Sequence, residues 1–89
     1  MADRTAEELA QDYTAMGHSV DLINAIIAGT AMDGEQHTDA DKKACVSRNV
    51  EHLELMKAMK KEDGTTSIWT SESFTAIDKA VTDGKTYVG

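Results

Sequence analysis

Leu9, Tyr13, Met16, Val20, Ile23 and Ile27 recur at alternating steps of four and three along the first third of the chain. That spacing keeps a narrow apolar seam on one face of an α-helix. At 100° per residue the six side chains fall within about 40° of one direction, and His18 points the opposite way. Leu22 and Ile26 lie off the seam by about 100° or more, so the apolar face widens over the last two turns and a second contact is implied there. Thr5-Ala6-Glu7-Glu8 reads as a capping box, in which the Thr5 hydroxyl and Glu8 carboxylate satisfy two orphan backbone amides. Ala28-Gly29 supplies the glycine expected just past a helix end. A first helix is predicted over about 6–28.

The polar stretch from Thr30 to His37 has the length of a helix-to-helix connection. Thr38, with Asp41 three residues later, predicts a second helix start, and Asp39 and Asp41 suit the positive end of its dipole. This helix is predicted over about 39–61, with Lys57, Lys60 and Lys61 at its negative end and Glu62-Asp63-Gly64 as the stop. Its apolar residues, Cys45, Val46, Val50, Leu53, Met56 and Met59, spread over about half the circumference. Asn49 sits near the middle of that arc, His52 at its edge and Leu55 outside it. Glu54 and Lys57 are spaced for an (i, i+3) ion pair. Thr65 to Ile68 is polar and β-prone, and reads as an extended loop. With Thr70 as N-cap, Trp69 and Phe74 form a hydrophobic staple. A third helix is predicted over about 71–83, burying Phe74, Ile77 and Val81 and ended by Gly84.

Composition supports helices throughout: there is no proline, aromatics make up 4% and hydrophobic residues 40%, with Ala, Leu, Ile and Met in place of strand formers. The expected fold is all-α, a long antiparallel helical hairpin with a short third helix packed against it, in one domain spanning 1–89. A chain of 89 residues buries only somewhat over ~60% of the surface its unfolded form exposes, so its core is thin and self-association would help it. The net charge of −7 is unevenly spread. Residues 1–41 sum to −8, residues 42–61 to +4 and residues 62–89 to −3. Adjacent segments of opposite sign suit the flanks of an antiparallel helical pair, at ~0.2 to 1 kcal/mol for each exposed pair. The single Cys45 excludes an internal disulfide, and the charged start Met1-Ala2-Asp3-Arg4 is unlike a signal region, so a reducing, cytoplasmic setting is expected. No apolar run approaches the ~20 residues of a membrane span.

Candidate chemistry is sparse. Cys45 and His52 are two helical turns apart, roughly 10.5 Å along the axis, too far to share one ion or form a nucleophile–base pair. His18 and His37 have no ligand partner at zinc spacing, and Ser19, Ser47, Ser67, Ser71 and Ser73 lack a glycine elbow. The glycines form no phosphate-binding motif. No catalytic, metal or cofactor residue is therefore assigned, and neither enzyme activity nor a cofactor is expected. Direct nucleic-acid binding is disfavoured, because the basic residues of the second helix belong to a chain of pI ≈ 4.7 and abut an acidic segment.

Arg48 to Met56 and Trp69 to Ala80 resemble segments of small uncharacterised proteins of marine tailed phages. The resemblance implies a phage origin and an accessory or virion-assembly role, in host cytoplasm or virion, and carries over no functional residue.

These readings converge on a small non-enzymatic interaction or assembly module whose partner is a protein and whose expected state is a homo-oligomer. The expected contact is the first-helix seam and its flank, Leu22, Ile23, Ile26 and Ile27, left partly uncovered by the chain itself. Asn49 either fixes register and partner number inside a helical interface or serves a local role, capping a loop carbonyl or meeting water. The alternative is an acidic inhibitor or DNA mimic that presents Glu7, Glu8, Asp12 and Asp21 to a host nucleic-acid-binding protein.

Overall fold

The computed structural model describes residues 4–31, 37–69 and 72–89. They form α1 (Ala6–Ala28), α2 (Asp39–Lys57) and α3 (Thr75–Val88). Both predicted capping boxes are present. The Thr5 hydroxyl accepts from the Glu8 amide at 3.1 Å and the Glu8 carboxylate from the Thr5 amide at 2.9 Å, and Thr38 and Asp41 repeat the exchange at 3.1 Å in both directions. Gly29, at φ 82°, ends α1 in a Schellman turn: its amide donates to Ile26 at 3.1 Å and that of Thr30 to Ala25 at 2.9 Å. The left-handed conformation is one that glycine adopts without a Cβ penalty.

The helices run up, down and up. Tyr13 meets Trp69 and bonds to Ser73 near one end of the molecule, while a Cβ on Gly84 would meet Ile23, Val46 and Val50 together near the other. Positions along α1 therefore rise with those of α3 and fall with those of α2. Lys57–Asp78 and Lys85–Glu54 fix the same antiparallel sense for α2 and α3. The core lies between the three helices and is formed by Met16, Val20, Ile23, Ile26, Val46, Val50, Leu53, Ile77 and Ala80, with Ile68 and Trp69 closing one end.

Three expectations are corrected. First, α2 stops at Lys57 rather than near 61, because the chain turns into a tight hairpin. Lys60 and Ser67 form an antiparallel bridge, the Lys61 amide donates to Thr66 at 2.7 Å and that of Ile68 to Met59 at 3.2 Å. The Asp63 carboxylate holds the turn by accepting from the Thr65 and Thr66 amides, both at 2.8 Å. Second, α3 is displaced by about one turn, from the predicted 71–83 to Thr75–Val88. Gly84 lies inside it, not beyond it, and is buried where the helices converge; a Cβ there would stand 2.6 Å from Val50 Cγ2 and 3.1 Å from Val46 Cγ1. The predicted cap Thr70 and helix start Ser71 lie outside the described residues. Trp69 and Phe74 do meet, edge to face at 5.9 Å, but Phe74 occupies the N-cap position of α3 and cannot cap it; among the described residues the Ser73 hydroxyl accepts from the Thr75 amide there, at 3.4 Å. Third, the expected Glu54–Lys57 pair gives way to two bridges from α2 to α3, Glu54 with Lys85 and Lys57 with Asp78. Among the described residues, the ion pairs that cross between helices join α2 to α3, whereas the charge pattern pointed to α1 and α2.

Candidate interaction surface

The α1 seam is closed by its own chain. Ile23 is 0% and Ile26 2% exposed, and Leu22 is half-buried against the same core. The second contact implied by Leu22 and Ile26 is thus made within the molecule, and the expectation of a partly uncovered seam at Ile23 and Ile26 is corrected. Ile27, central to the sequence stripe, is 39% exposed. It lies one turn beyond Ile23, level with the first turn of α2 and the last turn of α3, where the bundle ends. The buried set over the last turns of α1 runs Ser19, Val20, Ile23 and Ile26, a face turned away from the heptad line because α1 is covered here by two helices rather than one.

Asn49 makes a local bond. Its side-chain amide donates to the Cys45 carbonyl at 2.9 Å and lies 3.6 Å from the Cys45 Sγ, so the polar group in the middle of the α2 face is satisfied one turn back along its own helix. Neither an interface nor a loop carbonyl is required to explain it. Cys45 is a half-buried free thiol. His18, His37 and His52 are exposed on separate parts of the molecule, and no group of three or more His, Cys, Asp or Glu gathers among the described residues in a way that could hold a metal ion. No helix among them is long and apolar enough to cross a membrane.

The acidic surface of α1 is broken up. Arg4 holds Asp12 through two hydrogen bonds of 3.0 and 2.9 Å and lies 3.4 Å from Glu8. The backbone amide of Thr5, with help from Arg4, keeps the Glu8 carboxyl below its ordinary range, and that of Thr38 does the same for Asp41. Asp63 is depressed further, first by the Thr66 hydroxyl and then by the Thr66 and Thr65 amides. Each of these carboxylates is occupied by a cap or turn.

An aromatic corner pins the 59–69 hairpin under the bundle. Trp69 Nε1–H donates to the Met56 carbonyl at 2.7 Å, satisfying an acceptor at the end of α2. The Trp69 ring meets Tyr13 at 6.2 Å and Phe74 at 5.9 Å, and Lys57 Nζ stands 5.7 Å from the Phe74 ring centre. The end of α2, the middle of α1 and the segment that enters α3 are thereby tied together, with the Trp69 indole buried at 8% exposure.

What remains open is the outer side of α2. Leu55 is 72% exposed and borders Glu51 and Glu54. These two glutamates also line an open groove of about 250 Å³ between α2 and α3, with Ser47, Val50, Lys85 and Val88. Leu55 lies outside the core arc of α2 in the sequence, and a large apolar residue set among Glu51, His52 and Glu54 was the available signal for a contact there. No protein-family model, curated protein or solved structure matches this chain.

Proposed function

We propose that the chain is a small non-enzymatic helical interaction module, and that it engages a protein partner through the outer side of α2 rather than the seam of α1. The observation that carries this reading is Leu55, a large apolar side chain 72% exposed on a helix whose opposite face is fully used by the core. Burying such a side chain contributes up to about 1.5–3 kcal/mol. The neighbouring groove between α2 and α3 adds a charged rim of Glu51, Glu54 and Lys85 around Val50 and Val88. An accessory or assembly role, as the resemblance to marine phage proteins implies, is consistent with such a module.

An acidic decoy for a nucleic-acid-binding protein draws less support. Asp12 and Glu8 are engaged by Arg4, and on the outer face of α1 the exposed Glu7 and Asp21 are kept apart by Gln11, Thr14 and His18.

The test is affinity capture with the wild-type protein and the Leu55→Glu variant as baits, both first shown to keep the same helical circular dichroism. At least one protein, a second copy of the chain included, should be held by the wild type and lost from Leu55→Glu, while a Glu7→Lys bait retains it. Equal recovery on the wild-type and Leu55→Glu baits would overturn the reading.

A further inference from the structure

Asp41, Ala44, Arg48, Glu51, Leu55 and Ala58 follow one another at steps of three and four and are all exposed. At 100° per residue they form a stripe opposite the Val46–Val50–Leu53 face that enters the core. We propose that this stripe packs against the same stripe of a second copy of the chain, the two α2 helices antiparallel across a twofold axis between Asn49 and Val50. The inference rests on the reading of α2 as the docking surface and names the partner.

The stripe is a palindrome in spacing and complementary in content. About that axis Arg48 faces Glu51 of the second copy, and Glu51 faces its Arg48. Ala44 faces Leu55 on either side, so a small residue receives the large exposed one twice. Asp41 faces Ala58 at the ends. Arg48 and Glu51 take part in no ion pair within the chain among the described residues, although their (i, i+3) spacing would allow one. Other arrangements lack this match. A parallel pair sets Arg48 against Arg48 and Glu51 against Glu51. An antiparallel pair centred on Leu53 places Glu51 opposite Leu55 and Arg48 opposite Ala58, so that both charges meet apolar side chains.

Such a contact is isologous, as twofold dimers require. Its area is limited to one helix face of 19 residues, below the roughly 1,200 Å² that stable interfaces bury, so the dimer is weak and rapidly exchanging, with dissociation in the micromolar to millimolar range. The polar centre sets register and direction, while Leu55 supplies most of the apolar area. Like charges placed opposite each other are counted twice by symmetry, which makes single reversals costly.

Sedimentation velocity of the full chain, from micromolar to millimolar concentration at low ionic strength, tests the proposal. The wild type is expected to rise from monomer towards dimer mass. Arg48→Glu and Glu51→Arg should each weaken association by at least ~10-fold, with unchanged circular dichroism because both positions are exposed. Mixed in equal amounts, these two variants should associate with each other at least as well as the wild type does with itself, since the mixture restores both Arg–Glu contacts. Lys43→Glu and Glu7→Lys, which change charge off the stripe, should leave the wild-type association unchanged. A wild type that stays monomeric throughout, or variants that fail to pair when mixed, overturns the homodimer. If Leu55-dependent capture of a different protein persists in that case, the interaction-module reading survives the loss of this one; if it too is absent, both fall.

Discussion

Gly17 and Gly84 both lie inside helices, yet their replacement by alanine should move stability in opposite directions. Nothing stands within 4 Å of a Cβ built on Gly17, so Gly17→Ala gains the helix propensity difference, about 0.8–1 kcal/mol. At Gly84 the same methyl would meet Val50 Cγ2 at 2.6 Å and Val46 Cγ1 at 3.1 Å. Both neighbours are β-branched and have little rotamer freedom with which to yield. Overpacking of this kind costs typically ~1–3 kcal/mol, so Gly84→Ala should be destabilising by up to about 2 kcal/mol after the propensity gain, as read from urea midpoints. A rise in the midpoint of Gly84→Ala would show that α3 does not approach α2 as closely as described. Asp63 offers a second test at this scale. Its folded carboxyl titrates below its unfolded value because Thr66 and Thr65 donate to the ionised form. The stabilisation is therefore complete above the unfolded range, near pH 4, and is lost as pH falls through the folded range. Asp63→Asn keeps an acceptor for the turn but cannot titrate, so its melting temperature should fall less steeply than the wild type's between about pH 4 and pH 2. Parallel acid limbs in the two proteins would mean that Asp63 is not a source of the pH dependence.

Among the elements, helix starts were legible where a side chain performs the capping, and obscure where tertiary contacts do the work. Thr5-Glu8 and Thr38-Asp41 located the starts of α1 and α2, and Gly29 located the end of α1, because each acts through neighbours within five residues. The end of α2 was not legible, since the chain leaves the helix for a hairpin closed by pairs up to nine positions apart, and Trp69 reaches the Met56 carbonyl from 13 positions away. Gly84 misled for a related reason: a glycine near a helix end resembles a stop signal, and only the proximity of Val46, Val50 and Ile23 reveals it as a close-packing position. The interaction residues divide in the same way. Ile23 was correctly placed on the α1 seam, but how much of that seam stays open depends on where α2 and α3 lie, which periodicity cannot supply. The structure therefore predicts different consequences for two adjacent isoleucines. Ile26→Ala removes a side chain that is 2% exposed and should cost about 2–5 kcal/mol. Ile27→Ser changes a position 39% exposed and should cost well under half of that. Thermal and urea denaturation of both variants decide the matter; similar losses at the two positions would restore Ile27 to the core and the straight heptad line to α1.

At the scale of the whole molecule, three helices share one core with no subset able to bury its apolar face alone. α1 meets α2 and α3, and α2 meets α3, so removing any one helix exposes the faces of the other two. The hairpin between α2 and α3 joins the same unit through Ile68, 3% exposed, and through Trp69, whose ring contacts residues from α1 and from the start of α3. Because Trp69 is the only tryptophan, its fluorescence reports this corner alone, while far-ultraviolet circular dichroism reports the helices. A shared core predicts a single cooperative transition in which the two signals coincide. The competing possibility is physical rather than formal: the corner lies at one end of a molecule 46 Å long, and its attachment relies on a few bonds, chiefly Trp69 to Met56 and Tyr13 to Ser73 at 2.5 Å. If those bonds merely fasten a loop to an independently stable bundle, fluorescence should change at lower urea than circular dichroism, and Tyr13→Phe should advance the first change without moving the second. Coincident curves for the wild type, displaced together by Tyr13→Phe, are the expected result, because Tyr13 leaves α1 on the same turn that delivers Met16, 0% exposed, to the core.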